Sequence, residues 1–117
     1  MNYSFSEKQG IQILVVDNLM NPLENQAIIK VVENKIKENN LEYIVDLSKM
    51  DYMNSNGLTF LISILTRARN AGGDVAIANL SESIKKILLI TRLQSAFSIH
   101  GNVDQAMMFF EKENKKG

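Results

Sequence analysis

The stretch "IVDLSKMDYMNSNGLTFLISIL", Ile44–Leu65, changes its hydrophobic period halfway along. Ile44, Val45 and Leu47 put apolar side chains on both parities of an extended chain, as in a strand covered on two faces. Leu58, Leu61, Ile62 and Leu65 follow the i, i+3, i+4, i+7 spacing of a helix, with Thr59, Ser63, Thr66, Arg67 and Asn70 on its other side. Between them Asn54-Ser55-Asn56-Gly57 reads as a turn of small polar and flexible residues. A buried strand running into an amphipathic helix is the first part of a parallel strand–helix–strand unit.

The flanking segments extend the same alternation. Ala71-Gly72-Gly73 ends the helix with a left-handed cap, "DVAIAN" (Asp74–Asn79) is a short strand, and Ser81 can cap the helix that begins "SESIKKILLI". "AFSIH" (Ala96–His100) is a last strand. "NVDQAMMFFEKENKK" is a final helix with Val103, Ala106, Met107 and Phe110 inward, followed by a charged tail from about residue 112. Upstream, the alternation at Tyr3 and Phe5, the turn-like Lys8-Gln9-Gly10 and the β-branched run Ile11–Val16 predict a hairpin. Asn21-Pro22 is an N-cap with proline at the first helical position, opening a helix to about Glu38 with Ala27, Ile28, Val31, Val32 and Ile36 inward. The prediction is an α/β fold: one domain over residues 1–117, a mixed sheet of four to five strands with an N-terminal hairpin, and about four helices.

Composition narrows the function classes. The 117 residues carry 13 basic and 13 acidic side chains, so no global field holds nucleic acid or an anionic membrane by charge. There is no cysteine and His100 is the single histidine, which leaves no thiolate site and makes a metal or other cofactor unexpected. The N-terminus lacks the order of a signal peptide, and no apolar run approaches the roughly 20 residues that cross a bilayer. The expectation is a cytoplasmic protein without membrane insertion.

The joint at Ser55 is the first candidate site. A helix N-terminus presents unpaired N–H groups and the positive end of the dipole, so a phosphate on Ser55 would meet donors without refolding the domain. Gly57 lacks a Cβ beside that hydroxyl, which would admit a partner's backbone or a nucleotide. Capping and turn formation alone also account for these four residues, and the local sequence does not separate the two readings.

The run "VDLSKMDYMNSNGLTFLISI" resembles the signature of STAS domains, specifically of bacterial anti-sigma factor antagonists: Asp-Leu-Ser, a loop of spaced apolar residues, Asp-Ser-Ser/Thr-Gly-Leu, then a helix. "GGDVAIANLSESIKKILLITRLQSAFSIHGNVDQAM" is similar to the remainder of that domain, while the first 40 residues agree in element order alone. The resemblance implies a STAS-like fold and a switch protein without enzymatic activity. Ser55 would be the phosphoacceptor, and Asn54, Ser55, Asn56, Gly57 and Leu58 would bind the partner. That partner would be an anti-sigma factor of the ATP-binding serine kinase type, which itself holds the ATP. Docking would release a sigma factor, and a serine phosphatase would reset the switch. The chain departs from the family pattern at Asn54, where the family has aspartate, at Asn56 in place of a hydroxyl residue, and at Thr91-Arg92-Leu93 in place of Thr-Gly-Leu. "VVDNLMN" (Val15–Asn21) also replaces the motif that usually closes the second strand.

Other residues have plainer readings. Asp46 is expected to cap the turn after its strand, Asp51 to lie on the surface, His100 to be a solvated residue at a strand end, and Lys85-Lys86 to lie on a solvated helix face. Arg67 and Arg69 could flank the partner surface, and Met107–Phe110 reads as core plus one exposed apolar position. Two rival functions stand beside the switch: a STAS binding subunit of another signalling or transport complex that is never phosphorylated, and an enzyme that binds a phosphorylated substrate at the helix N-terminus.

Overall fold

The computed structural model describes residues 2–115. Strand β1 (Tyr3–Lys8) and strand β2 (Ile11–Val16) form an antiparallel hairpin, closed by Gln9 and Gly10, both with positive φ, as a two-residue turn of matching twist requires. Helix α1 (Pro22–Lys37), strand β3 (Glu42–Asp46), helix α2 (Ser55–Asn70), strand β4 (Asp74–Ala78), helix α3 (Glu82–Ile90), a 3₁₀ turn (Leu93–Ser95), strand β5 (Ser98–His100) and helix α4 (Val103–Lys115) follow. The five strands lie side by side in chain order, and every pair after the hairpin is parallel.

The sheet separates two cores. Leu14, Val16, Tyr43, Val45, Val75 and Ile77 face α1, α2 and α3, whereas Ile11, Ile44, Ala76 and Ala78 face Ala106, Met107 and Phe110 of α4. This explains why β3 is apolar on both parities: it is the middle strand, and alternate side chains enter different cores.

Helix starts follow the local chemistry. Asn21 Oδ1 accepts from the backbone N–H of Leu23 and Glu24, with Pro22 at the first helical position. Ser81 Oγ accepts from the N–H of Ile84 and donates to the carbonyl of Asp51. At the far end of α2, Gly72 adopts φ +97°, and Gly73 lies so close to Leu41 that a Cβ would meet Leu41 Cβ at 2.7 Å and its carbonyl closer still. Next to that contact the buried hydroxyl of Tyr43 donates to the Asn40 carbonyl at 2.7 Å, and burial pushes its pKa up to about 12.

Several helical phases differ from the reading of the sequence. In α1 the inward residues are Asn25, Ile28, Ile29 and Val32, and Ala27 is exposed. In α2 they are Gly57, Phe60, Leu61, Ile64, Leu65 and Ala68, which leaves Ile62 41% exposed. Both shifts have one cause: the stripe is wide enough to be read one position out of phase until a neighbouring helix selects its centre. The last strand is shorter than Ala96–His100 because Ala96 caps the 3₁₀ turn of residues 93–95, its N–H donating to the Leu93 carbonyl, and pairing with β4 starts at Ser98. The charged end expected from about residue 112 is helical as far as Lys115, and Lys116 and Gly117 lie outside the described residues.

Candidate functional site

The chain from β3 to α2 is held by buried apolar anchors at every third position. Leu47, Met50 and Met53 are all buried, the Leu47 N–H donates to the Ala78 carbonyl, and the Met50 N–H donates to the Leu47 carbonyl. Asp46 Oδ1 accepts from the Ser48 N–H at 2.9 Å and from Asn79 Nδ2 at 3.0 Å, so this carboxylate caps the turn and ties it to the next strand, as its position predicts. The three anchors bring the chain out of the core at Asn54.

Asn54, rather than the serine after it, is the N-cap of α2. Its Oδ1 accepts from the N–H of Asn56 at 3.0 Å and of Gly57 at 3.4 Å. Ser55 is therefore the first helical residue, exposed, and its hydroxyl has no hydrogen-bond partner among the described residues. The first turn of α2 contains no acidic residue, and the cap is neutral. An anion placed at Ser55 would gain about 0.3–1 kcal/mol from the helix terminus without competing with a resident carboxylate.

Asn56 and Gly57 have structural duties. Asn56 Nδ2 donates to the Met20 carbonyl at 2.9 Å. Asn25 Nδ2, on the buried side of α1, donates to the Leu19 carbonyl at 2.8 Å and to the Asn56 carbonyl at 3.4 Å. The two amides join the β2–α1 loop to the first turn of α2. Gly57 is buried, and a Cβ on it would meet Met53 Cβ at 2.9 Å and Leu19 Cβ at 3.4 Å. The expectation that Gly57 opens space for a partner is thus corrected: the missing Cβ makes room for the protein's own loops. Leu58 is half-buried against the α1–α3 core. Of the five residues grouped by sequence, Ser55 is exposed, Asn54, Asn56 and Leu58 are partly accessible, and Gly57 supports them from beneath.

The structure adds a rim that the sequence did not reveal. Met20, Leu23 and Tyr52 are 45%, 81% and 56% exposed; Met20 and Tyr52 lie on the β2–α1 and β3–α2 loops, and Leu23 in the first turn of α1. All these loops leave the carboxyl ends of parallel strands, the end of an α/β sheet that usually carries its site. The strand order never reverses, however, so no crevice opens between helices on opposite faces there, and the shape is that of a surface. A groove of 570 Å³ lies elsewhere, between the C-terminal halves of α1 and α2, where Lys30, Glu33, Arg67 and Asn70 line it.

The remaining candidates take internal roles. Arg67 Nε donates to Glu33 Oε2 at 2.9 Å, and Arg69 donates to Asp74 Oδ1 at 3.1 Å and to the Ala96 carbonyl at 2.7 Å. Both arginines sit in the last turns of α2, at the far end of a helix about 24 Å long, so they do not flank Ser55. His100 ends β5, as its position predicts, but is partly buried rather than fully solvated: Nε2 is 2.7 Å from Ser98 Oγ, the ring packs on Phe109, and burial lowers its pKa. Arg92 holds φ +62° between α3 and the 3₁₀ turn, which explains physically why a glycine would suit that position. Lys85 pairs with exposed Glu82, and Met108 is the exposed apolar residue of its cluster.

Comparison with known proteins agrees with this architecture. The family profile described as "STAS domain" matches residues 2–106. A STAS-domain containing protein of Pseudomonas aeruginosa (strain UCBPP-PA14) is 32% identical over 57 residues, which cover 49% of this chain and 56% of that protein. BtrV of Bordetella bronchiseptica, named as a candidate anti-sigma factor antagonist, is 17% identical over 95% of this chain and 96% of its own. The crystal structure of TM1081 from Thermotoga maritima, also named as a candidate antagonist, superposes with a TM-score of 0.82 at 20% identity, covering 91% of this chain and 92% of that one. At that identity the superposition speaks for the fold.

Proposed function

Because the chain belongs to the STAS domain family, we propose that it is an anti-sigma factor antagonist. In this reading it is a cytoplasmic protein that does no chemistry itself and acts by occupying a kinase-type anti-sigma factor. The unmodified surface around Ser55 docks on that partner and so releases a sigma factor. The partner transfers the γ-phosphoryl group of its own ATP to Ser55 Oγ, the hydroxyl proton leaves through the kinase, and ADP departs. The resulting group carries about −1.5 to −2 charges at a contact that had been closed to water, which costs several kcal/mol unless it is paired, and the complex separates. A serine phosphatase restores the docking form.

The observation that carries this reading is the exposed, unbonded Ser55 hydroxyl at the first position of α2. The names of BtrV and TM1081 support the antagonist class. Asn54 keeps the cap that the family's aspartate would make, so loss of that carboxylate leaves the hydroxyl in place. The test is intact-mass spectrometry of the protein purified from its own cells, with peptide mapping and a Ser55→Ala control. One phosphate on Ser55, absent from the control, is the expected result; an unmodified Ser55 across several growth conditions overturns the switch.

A second reading, a STAS binding subunit that is never phosphorylated, draws on the engagement of both asparagines, Asn54 as the cap and Asn56 as the clamp on Met20. It expects Ser55→Ala and Ser55→Glu to bind the same partner equally, whereas the switch expects Ser55→Glu to lose it.

A further inference from the structure

The outer edge of β1 is independent of the Ser55 surface. The hairpin pairs Tyr3 with Val16 and Lys8 with Ile11 across a two-residue turn, and the Asp17 N–H donates to the Asn2 carbonyl. This register turns the backbone groups of Ser4, Ser6 and Lys8 toward β2, and those of Tyr3, Phe5 and Glu7 toward the free edge. The edge is six residues long and carries no proline, no bulge and one lysine at its end, so it lacks most of the devices that keep edges from pairing. The opposite edge, β5, has three residues.

We propose that this edge is the contact between two copies of the chain, in which β1 pairs antiparallel with β1 of the second copy about a two-fold axis at Ser6. Phe5 then lies opposite Glu7 of the second copy, and each such pair exchanges two backbone hydrogen bonds. Charge selects this register. Lys35 Nζ sits 4.9 Å above the Phe5 ring, and Phe5 and Glu7 share the face covered by α1. Residues directly opposite have Cβ atoms about 5 Å apart, so the Glu7 carboxylate of each copy comes beside the Lys35 ammonium of the other, twice per dimer. An axis at Phe5 would instead set the two rings, with the two Lys35 ammonium groups above them, against each other. The chosen axis stands perpendicular to the sheet, gives one ten-stranded sheet with α1–α3 of both copies on one face, and leaves the two Ser55 ends free and pointing apart.

Sedimentation equilibrium of the full chain, from micromolar to millimolar, reads the dimer directly, and amide exchange at the same concentrations locates it. Dimerisation is expected, with the Phe5 and Glu7 amides slowing as concentration rises while those of Ser4 and Ser6 do not change. Glu7→Lys and Lys35→Glu each place two like-charge contacts in the dimer and are expected to raise its dissociation constant roughly tenfold, and the double variant restores it. A wild-type chain that stays monomeric, with the edge left to another protein's strand, overturns the proposal. So does a dimer whose affinity Glu7→Lys leaves unchanged.

Discussion

At its C-terminal end α2 commits both its arginines to the rest of the protein, whereas at its N-terminal end it leaves the Ser55 hydroxyl facing outward. Arg67 and Arg69 reach Glu33, Asp74 and the Ala96 carbonyl, and Gly73 lets the Leu41 backbone close against the chain beside the Tyr43 hydroxyl. At the other end Asn54 caps the helix and Asn56 and Asn25 tie it to the β2–α1 loop, yet the Ser55 hydroxyl and the side chains of Met20, Leu23 and Tyr52 remain accessible. One helix thus separates two tasks by about 24 Å. Substitutions at the closed end should register as stability, and those on the outward groups of the open end as binding.

Gly73→Ala is the most severe test of the closed end. The new methyl would press on the Leu41 backbone, which has no side-chain torsion to yield, and a loss of about 3 kcal/mol or more is expected in denaturant unfolding. Alkaline titration probes the same end. Tyr43 holds its proton to about 12 in the folded chain, so its contribution is fully present below pH 10, the ordinary tyrosine value, and is lost as pH rises toward 12. Stability should fall across that window by about 1–2 kcal/mol once the partial solvent access at the hydroxyl's bond to Asn40 is allowed for, and Tyr43→Phe should flatten the dependence.

Gly57→Ala asks whether the open end is also packed beneath its surface. Its methyl meets Met53 Cβ and Leu19 Cβ, while alanine favours the helix, and the expected net loss is about 1–2 kcal/mol. An unchanged stability would mean the loops yield, and that the two ends differ more than described. The smallest effect is at Asn54: alanine should cost about 1 kcal/mol through the lost cap, and aspartate should keep the cap and match or slightly exceed the wild type. Thermal unfolding of the two variants side by side distinguishes the cap from the charge.

The order of elements was legible because its punctuation is local. Asn21-Pro22, Ser81 and Gly72 each act on backbone groups within a few residues, and each stands where the sequence places it. What distant residues decide was not legible. Asn25 occupies an inward position because two carbonyls, of Leu19 and Asn56, meet it there; read alone, an asparagine belongs on the wet side and Ala27 on the dry side. Ser55 was singled out as a candidate from its place at the strand–helix joint and then from the motif around it, but its position as the first helical residue depends on which neighbour takes the cap. Gly57 was read as an opening because a sequence shows the missing Cβ and not the Met53 and Leu19 side chains that fill the space. The inward phase of Asn25 relative to Ile28, Ile29 and Val32 is the one signal that could have pointed to the β2–α1 loop.

The placement of α4 bears on how the chain is made. Ala106, Met107 and Phe110 are the residues that cover Ile11, Ile44, Ala76 and Ala78, and they follow every strand in synthesis. Only Gly101 and Asn102 separate β5 from α4, so the second face of the sheet stays bare until the helix that follows β5 has left the ribosome and packed against it. Until then the strands already released present Ile11, Ile44, Ala76 and Ala78 to solvent, an apolar surface open to association.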